Sequence, residues 1–174
     1  MPVYALGESE PDIHPEAYVH PDAVVIGDVT IGAEATVWPT AVLRGDDGRI
    51  EVGARSSVQD GTIVHCTATQ PTIIGDDVTV GHNVHIEGAV IGNRALISSG
   101  SVVLNGAVIG PGAVVAAGSV VAPDSEVPPR RMVLGIPARI REGHEVPEGA
   151  YDHAVRSYVQ RGKRFRADLR RLDG

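Results

Sequence analysis

Six polar side chains punctuate stretches that are otherwise small and aliphatic: Arg44, Gln59, Asp60, His65, His82 and Glu87. Imidazole, carboxylate, guanidinium and carboxamide groups hold ions, move protons and orient water. Their placement is phased. Arg44 follows Leu43, His65 follows Val64 and Glu87 follows Ile86, while Gln59 follows Val58 with Asp60 next, and His82 stands two residues after Val80. The phase brings the six together only if the chain repeats in space.

The chain does repeat. From Ile13 an aliphatic residue, often followed by glycine, returns about every six residues: Val19, Ile26, Ile31, Val37, Leu43, Val52, Val58, Val64, Ile74, Val80, Ile86, Ile91, Ile97, Val103, Ile109, Val115 and Val121. A helical period is absent, and Val, Ile, Thr and Gly dominate. A hexapeptide repeat is the signature of a β-helix solenoid, in which three short strands make one triangular coil. These 18 strands predict an all-β solenoid of about six triangular coils. Glycine, at 21 of 174 residues, serves the corners. Between Val19 and Ala150 the only aromatic residue is Trp38, as a narrow, regular Val/Ile/Ala core requires.

A solenoid turns sequence offsets into columns. With the faces lettered a, b and c in rotation, Val37, Val58, Val80 and Ile97 share face a, and Leu43, Val64, Ile86 and Val103 share face b. Arg44, His65 and Glu87 then stack one per coil, with Leu104 next, at the ~4.8 Å spacing of neighbouring strands. Trp38, Gln59 and Gly81 form a second column, and Asp60, His82 and Ser99 a third.

The remainder of the chain has a different texture. Residues 1–129 hold 4 basic and 16 acidic groups, whereas residues 130–174 hold 11 and 6. After a proline-rich exit, VPPRRMVLGIPARIR, the residues Tyr151, Val155, Tyr158, Gly162, Phe165, Leu169 and Leu172 alternate at four- and three-residue spacing. That predicts a C-terminal α-helix of about six turns. Its other face bears Arg156, Arg161, Lys163, Arg164, Arg166, Arg170 and Arg171. We expect a solenoid domain over 1–140 and a linker and helix over 141–174, the basic helix lying along the acidic solenoid. The formal charge of −7 argues against a nucleic-acid partner. No apolar run reaches the ~20 residues of a membrane helix. The single cysteine, Cys66, excludes an internal disulfide and suits a reducing, cytoplasmic setting. It reads as a small wall residue. His14, His20, His144 and His153 read as surface groups, and Trp38 as packing at the site wall or between subunits.

The hexapeptide period resembles the left-handed parallel β-helix superfamily, from which the left hand is taken. The strings VWPTAVLRGDD, SSVQDGTIVH and PTIIGDDVTVGH sharpen this to the γ-class carbonic anhydrase-like family, with its ferripyochelin-binding-protein-like and phenylacetate-operon relatives. The shared residues are Trp38, Arg44, Gly45, Asp46, Gln59, Asp60, Gly61, His65, Gly81 and His82. The resemblance implies a homotrimer with a zinc ion held between subunits, two histidines coming from one chain and one from the next; iron or cobalt stays open, since availability decides among such metals. His65 and His82 match two ligands. Arg44 with Asp46 matches the ion pair that orders the subunit interface, and Gln59 the residue that holds the metal-bound water. Asp60 would orient His82. The implied reaction is the reversible hydration of carbon dioxide by a metal-bound hydroxide.

One ligand position departs from the family. There GH is followed by four residues and then HG, whereas here Glu87 precedes Gly88. Three readings stay open: Glu87 completes a His₂Glu set, His85 moves in as third ligand, or the site no longer holds metal tightly. The segment Cys66–Gln70 also lacks the carboxylate with which the prototype exports protons, so turnover would be slow. The alternative functions are a hexapeptide acyltransferase or coenzyme A thioesterase acting on an acyl thioester, and a non-catalytic trimeric scaffold. An acyltransferase needs a long arm over the cofactor groove, and no long inserted loop occurs.

Overall fold

The aliphatic period winds into a triangular, left-handed β-solenoid in the computed structural model, which describes residues 2–173. Strands of two or three residues pair in parallel with those one coil away, so Val58, Val80, Ile97 and Val115 lie in register. Their side chains point inward and are fully buried, as are those of Leu43, Val64, Ile86 and Val103 on the next face. A core lined by aliphatic residues from three sides has no space for a phenyl ring, which accounts for the missing aromatics.

The coils number about seven rather than six. Val3 pairs with Val25 at the start, and Val127 and Val133 continue the stacks behind Ile109 and Val115. The prolines and arginines around these last positions break the small-residue pattern that marks the other coils. One inward position also differs from expectation. Val25, not Ile26, points into the core, because Val25 pairs with Leu43 while Ile26 pairs with Arg44.

Two consecutive coils are enlarged at the corner between faces b and c. Val42–Val52 is one bent strand of 11 residues, and the chain takes a similar detour between Ile63–His65 and Thr72–Ile74. The detours stack tightly. A Cβ on Gly48 would lie 2.4 Å from the Thr67 carbonyl oxygen, so only glycine lets the backbones approach this closely. The polar residues of face b emerge on this corner.

The outer side of face a is covered by the C-terminal helix, Asp152–Asp168. It makes about five turns, not six, ending at an extended Leu169, and Leu172 beyond it is exposed. Val155, Val159 and Gly162 are buried against the solenoid. Trp38 lies beneath the helix, its ring centroid 5.6 Å from that of Tyr158 and 5.1 Å from that of Phe165. It therefore packs within the chain rather than at the site wall or between subunits. His20 is likewise buried, edge-on to Tyr18, and is not a surface group. Part of the basic helix face turns back onto the acidic body. Lys163 Nζ is 2.5 Å from Glu34, and Arg166 donates to the carbonyls of Pro15 and Ala17. Before the helix, Arg131–Gly135 and Ala138–Glu145 form an antiparallel hairpin that runs through the expected boundary at 140. No helix among the described residues is long and apolar enough to cross a membrane.

Candidate metal centre

Strand register places Arg44 beside His65 and His65 beside Glu87, in the column read from the sequence. All three side chains leave face b at the enlarged corner. Arg44 donates to Asp46 within the same chain. The other oxygen of Asp46 lies 2.9 Å from His65 Nε2. Burial works against ionisation of Asp46, but the hydrogen bonds from His65 and from its own backbone amide, with the charge of Arg44, outweigh it and hold the carboxyl below the ordinary aspartate range. On the other side of the ring, His65 Nδ1 is 3.3 Å from Glu87 Oε1. Glu87 Oε2 in turn lies 3.2 Å from His85 Nε2. Ionised carboxylates only accept hydrogen bonds, so each of these nitrogens needs a proton or a cation between it and its partner.

A second group stands at the opposite end of face b. His82 and Asp60 occupy the corner between faces a and b, and His82 Nδ1 is 2.8 Å from Asp60 Oδ2. This is the pairing that the column argument anticipates. It leaves His82 Nε2 without a partner among the described residues, on a side chain that is 48% exposed. Gln59 is buried beside this corner. Glu87 ends the strand His85–Glu87 that follows this corner, so the two groups lie a full face apart.

The donor set suits zinc, which takes imidazole nitrogen and carboxylate oxygen. Two ligands at bond lengths of 2.0–2.1 Å from a tetrahedral ion stand about 3.3 Å apart, which is the separation of His65 Nδ1 and Glu87 Oε1. Yet among the described residues no three His, Cys, Asp or Glu side chains of one chain are grouped to hold an ion. His65 and Glu87 stand at one end of face b and His82 at the other.

Between the two ends runs an outward column of face b: Val24, Val42, Ile63, His85, Val102 and Val120. Five of the six are aliphatic, and Ile63 is 38% exposed. Cys66 is buried below the corner, where burial raises its thiol pKa. That is the environment of a wall residue. Sequence reasoning did not find the roles of Asp46 and His85 as side-chain partners of His65 and Glu87. Only the alternation of strand side chains, which puts His85 and Glu87 on one side of Ile86, hinted at the second.

The model of the bacterial transferase hexapeptide (six repeats) family matches residues 71–105 and 88–123. A Methanocaldococcus jannaschii protein named probable carbonic anhydrase is 54% identical over 64% of this chain and 70% of its own length. A Geobacillus kaustophilus protein named carbonic anhydrase is 37% identical over 95% of this chain and 91% of its own. The crystal structure of a candidate acetyltransferase from Bacillus cereus superposes with a TM-score of 0.92 at 34% identity, covering 96% of this chain and 98% of that one.

Proposed function

Because this chain belongs to the γ-class carbonic anhydrase-like hexapeptide-repeat family, we propose that it is a metal-dependent lyase that interconverts carbon dioxide and bicarbonate at a site completed by a second copy of the chain. The observation that carries this reading is the in-register pair of His65 and Glu87 at a zinc-like separation, with His82 held apart on the same face. His65 and Glu87 of one copy and His82 of the next would hold the ion. A closed ring of three copies satisfies every such site, since each chain offers one half-set of each kind. The apolar column of face b suits burial between the copies.

A zinc ion held there supplies a Lewis acid that lowers the pKa of water towards ~7 and so makes a nucleophile available at neutral pH. The chain's own residues do the rest. Asp46 fixes the ring of His65 through Nε2, and Asp60 fixes that of His82 through Nδ1, as partners of metal-bound histidines commonly do. Arg44 holds Asp46. Gln59 supplies an amide beside the His82 corner to orient the attacking water. Glu87 brings one more negative charge than a histidine would, which weakens the ion's pull on water. We therefore expect a slower enzyme than one with three histidine ligands.

An acyl-thioester reading draws on the acetyltransferase neighbours. It has less support from the site, because the coils carry no long arm among the described residues. The experiment that separates the readings assays the zinc-loaded and chelator-treated protein for carbon dioxide hydration and for cleavage of an acyl-thioester panel. Metal-dependent hydration that His65→Ala abolishes supports the proposal. Thioester cleavage without hydration supports the alternative, and no zinc uptake at all leaves a scaffold.

A further inference from the structure

His85 is the one polar member of an otherwise aliphatic outward column, flanked by Ile63 and Val102 on the adjacent coils. Neither neighbour offers a hydrogen bond. Side chains two apart on a strand share a side, so His85 and Glu87 leave face b together while Ile86 is fully buried between them. The contact that results is His85 Nε2 to Glu87 Oε2 at 3.2 Å. The other oxygen, Oε1, is the one that faces His65 Nδ1. A carboxylate cannot donate, so in this contact Nε2 carries the proton.

We propose that His85 is a positioning residue: by donating to Oε2 it turns Glu87 so that Oε1 alone is presented beside His65 Nδ1. The inference rests on the metal-centre reading of the same site and assigns His85 a role other than that of third ligand. Two consequences follow from the chemistry. Tying up Oε2 makes Glu87 a one-oxygen ligand, which keeps a coordination position open for water in a four-coordinate site. The hydrogen bond also draws negative charge away from Oε1, which offsets part of the electrophilicity lost when a carboxylate stands where the family has histidine. Ligating carboxylates are commonly held by such a partner, and its loss weakens metal binding about 10–100-fold.

The test is a double-mutant cycle read as zinc affinity by chelator competition on the full chain, with far-UV circular dichroism as the folding control. His85→Ala should weaken zinc binding tenfold or more, and His85→Gln, which keeps a side-chain donor, should recover most of the loss. In a Glu87→His background the carboxylate is gone, and adding His85→Ala should change affinity by no more than about twofold, the scatter of such cycles, because the coupling to Glu87 has been removed. Equal losses in both backgrounds would make His85 a ligand and overturn the proposal. A parent that binds zinc tightly and is indifferent to His85→Ala overturns it too, while leaving the metal centre standing. A parent that binds no zinc overturns both.

Discussion

His65 and Glu87 stand opposite each other on adjacent parallel strands, and the nearest ring nitrogen and carboxylate oxygen are 3.3 Å apart. His65 is bracketed on its other side by Asp46 at 2.9 Å. The ring is thus held between two carboxylates, an arrangement that a cation placed between His65 and Glu87 would stabilise. The strand ladder of a solenoid fixes the pair in register coil by coil.

The ligand role of Glu87 predicts opposite outcomes for two substitutions. Glu87→Ala should lower zinc affinity tenfold or more. Glu87→His should retain the ion and, by raising its electrophilicity, speed carbon dioxide hydration measured by stopped flow. Zinc affinity unchanged in Glu87→Ala would remove Glu87 from the ligand set.

Association through face b predicts that Ile63, which is 38% exposed in the middle of the aliphatic column, is buried between copies. Ile63→Asp places a charge there, which cannot be desolvated without a partner. Light scattering should report trimers for the parent and monomers for the variant, and the variant should lose zinc with its partner. A parent that is monomeric with metal bound contradicts the shared site.

Asp77 predicts a pH-dependent contribution to stability. Its carboxyl accepts two hydrogen bonds from Arg55, at 2.6 and 2.8 Å, which hold it below its ordinary value of 3.8. A carboxylate with a lowered folded-state pKa stabilises the fold above 3.8 and loses that contribution as pH falls through the folded value. Both partners are partly exposed, so Asp77→Asn should cost about 0.5–1 kcal/mol at neutral pH. The gap in melting temperature between parent and variant should close as the pH is taken below 3.8. A gap that stays constant into acid would assign the effect to packing.

Gly162 sits where the helix meets face a. A Cβ there would lie 2.7 Å from Thr36 Cγ2 and 3.3 Å from Tyr18 Cβ. The hydroxyl of Thr36 is tied to Trp38 Nε1 at 3.0 Å, which restrains its side chain from turning away. Alanine should gain about 1 kcal/mol in helix propensity and lose about 1–3 in overpacking. Gly162→Ala is therefore expected to lower the melting temperature by a few degrees, and a rise would show that the helix can shift outward freely.

The sequence was most informative where periodicity constrains the backbone. Because neighbouring coils align aliphatic residue on aliphatic residue, the register of Arg44, His65 and Glu87 and the contact of Asp60 with His82 follow from counting. The reading failed where counting is ambiguous. The run Val24-Val25-Ile26 offers three aliphatic residues for one inward position, and pairing of Val25 with Leu43 decides it. Val127 and Val133 were missed because prolines and arginines surround them. The depth of Trp38 was hidden because its partners, Tyr158 and Phe165, lie more than a hundred residues along the chain. Side-chain pairings across the enlarged corner, such as that of Asp46 with His65, depend on detours whose path no period specifies.

The central claim is that one metal site draws on two copies of the chain, and subunit mixing tests it most directly. His65→Ala and His82→Ala each remove one half-set, so each protein purified alone should bind no zinc. Unfolding and refolding the two together at equal amounts should restore zinc to about one quarter of the sites, those where an intact His65–Glu87 half meets an intact His82 from its neighbour in a closed ring. Zinc recovery near that fraction, accompanied by carbon dioxide hydration, is the predicted result. Mixtures that remain free of zinc, or single variants that still bind it stoichiometrically, would contradict the shared site.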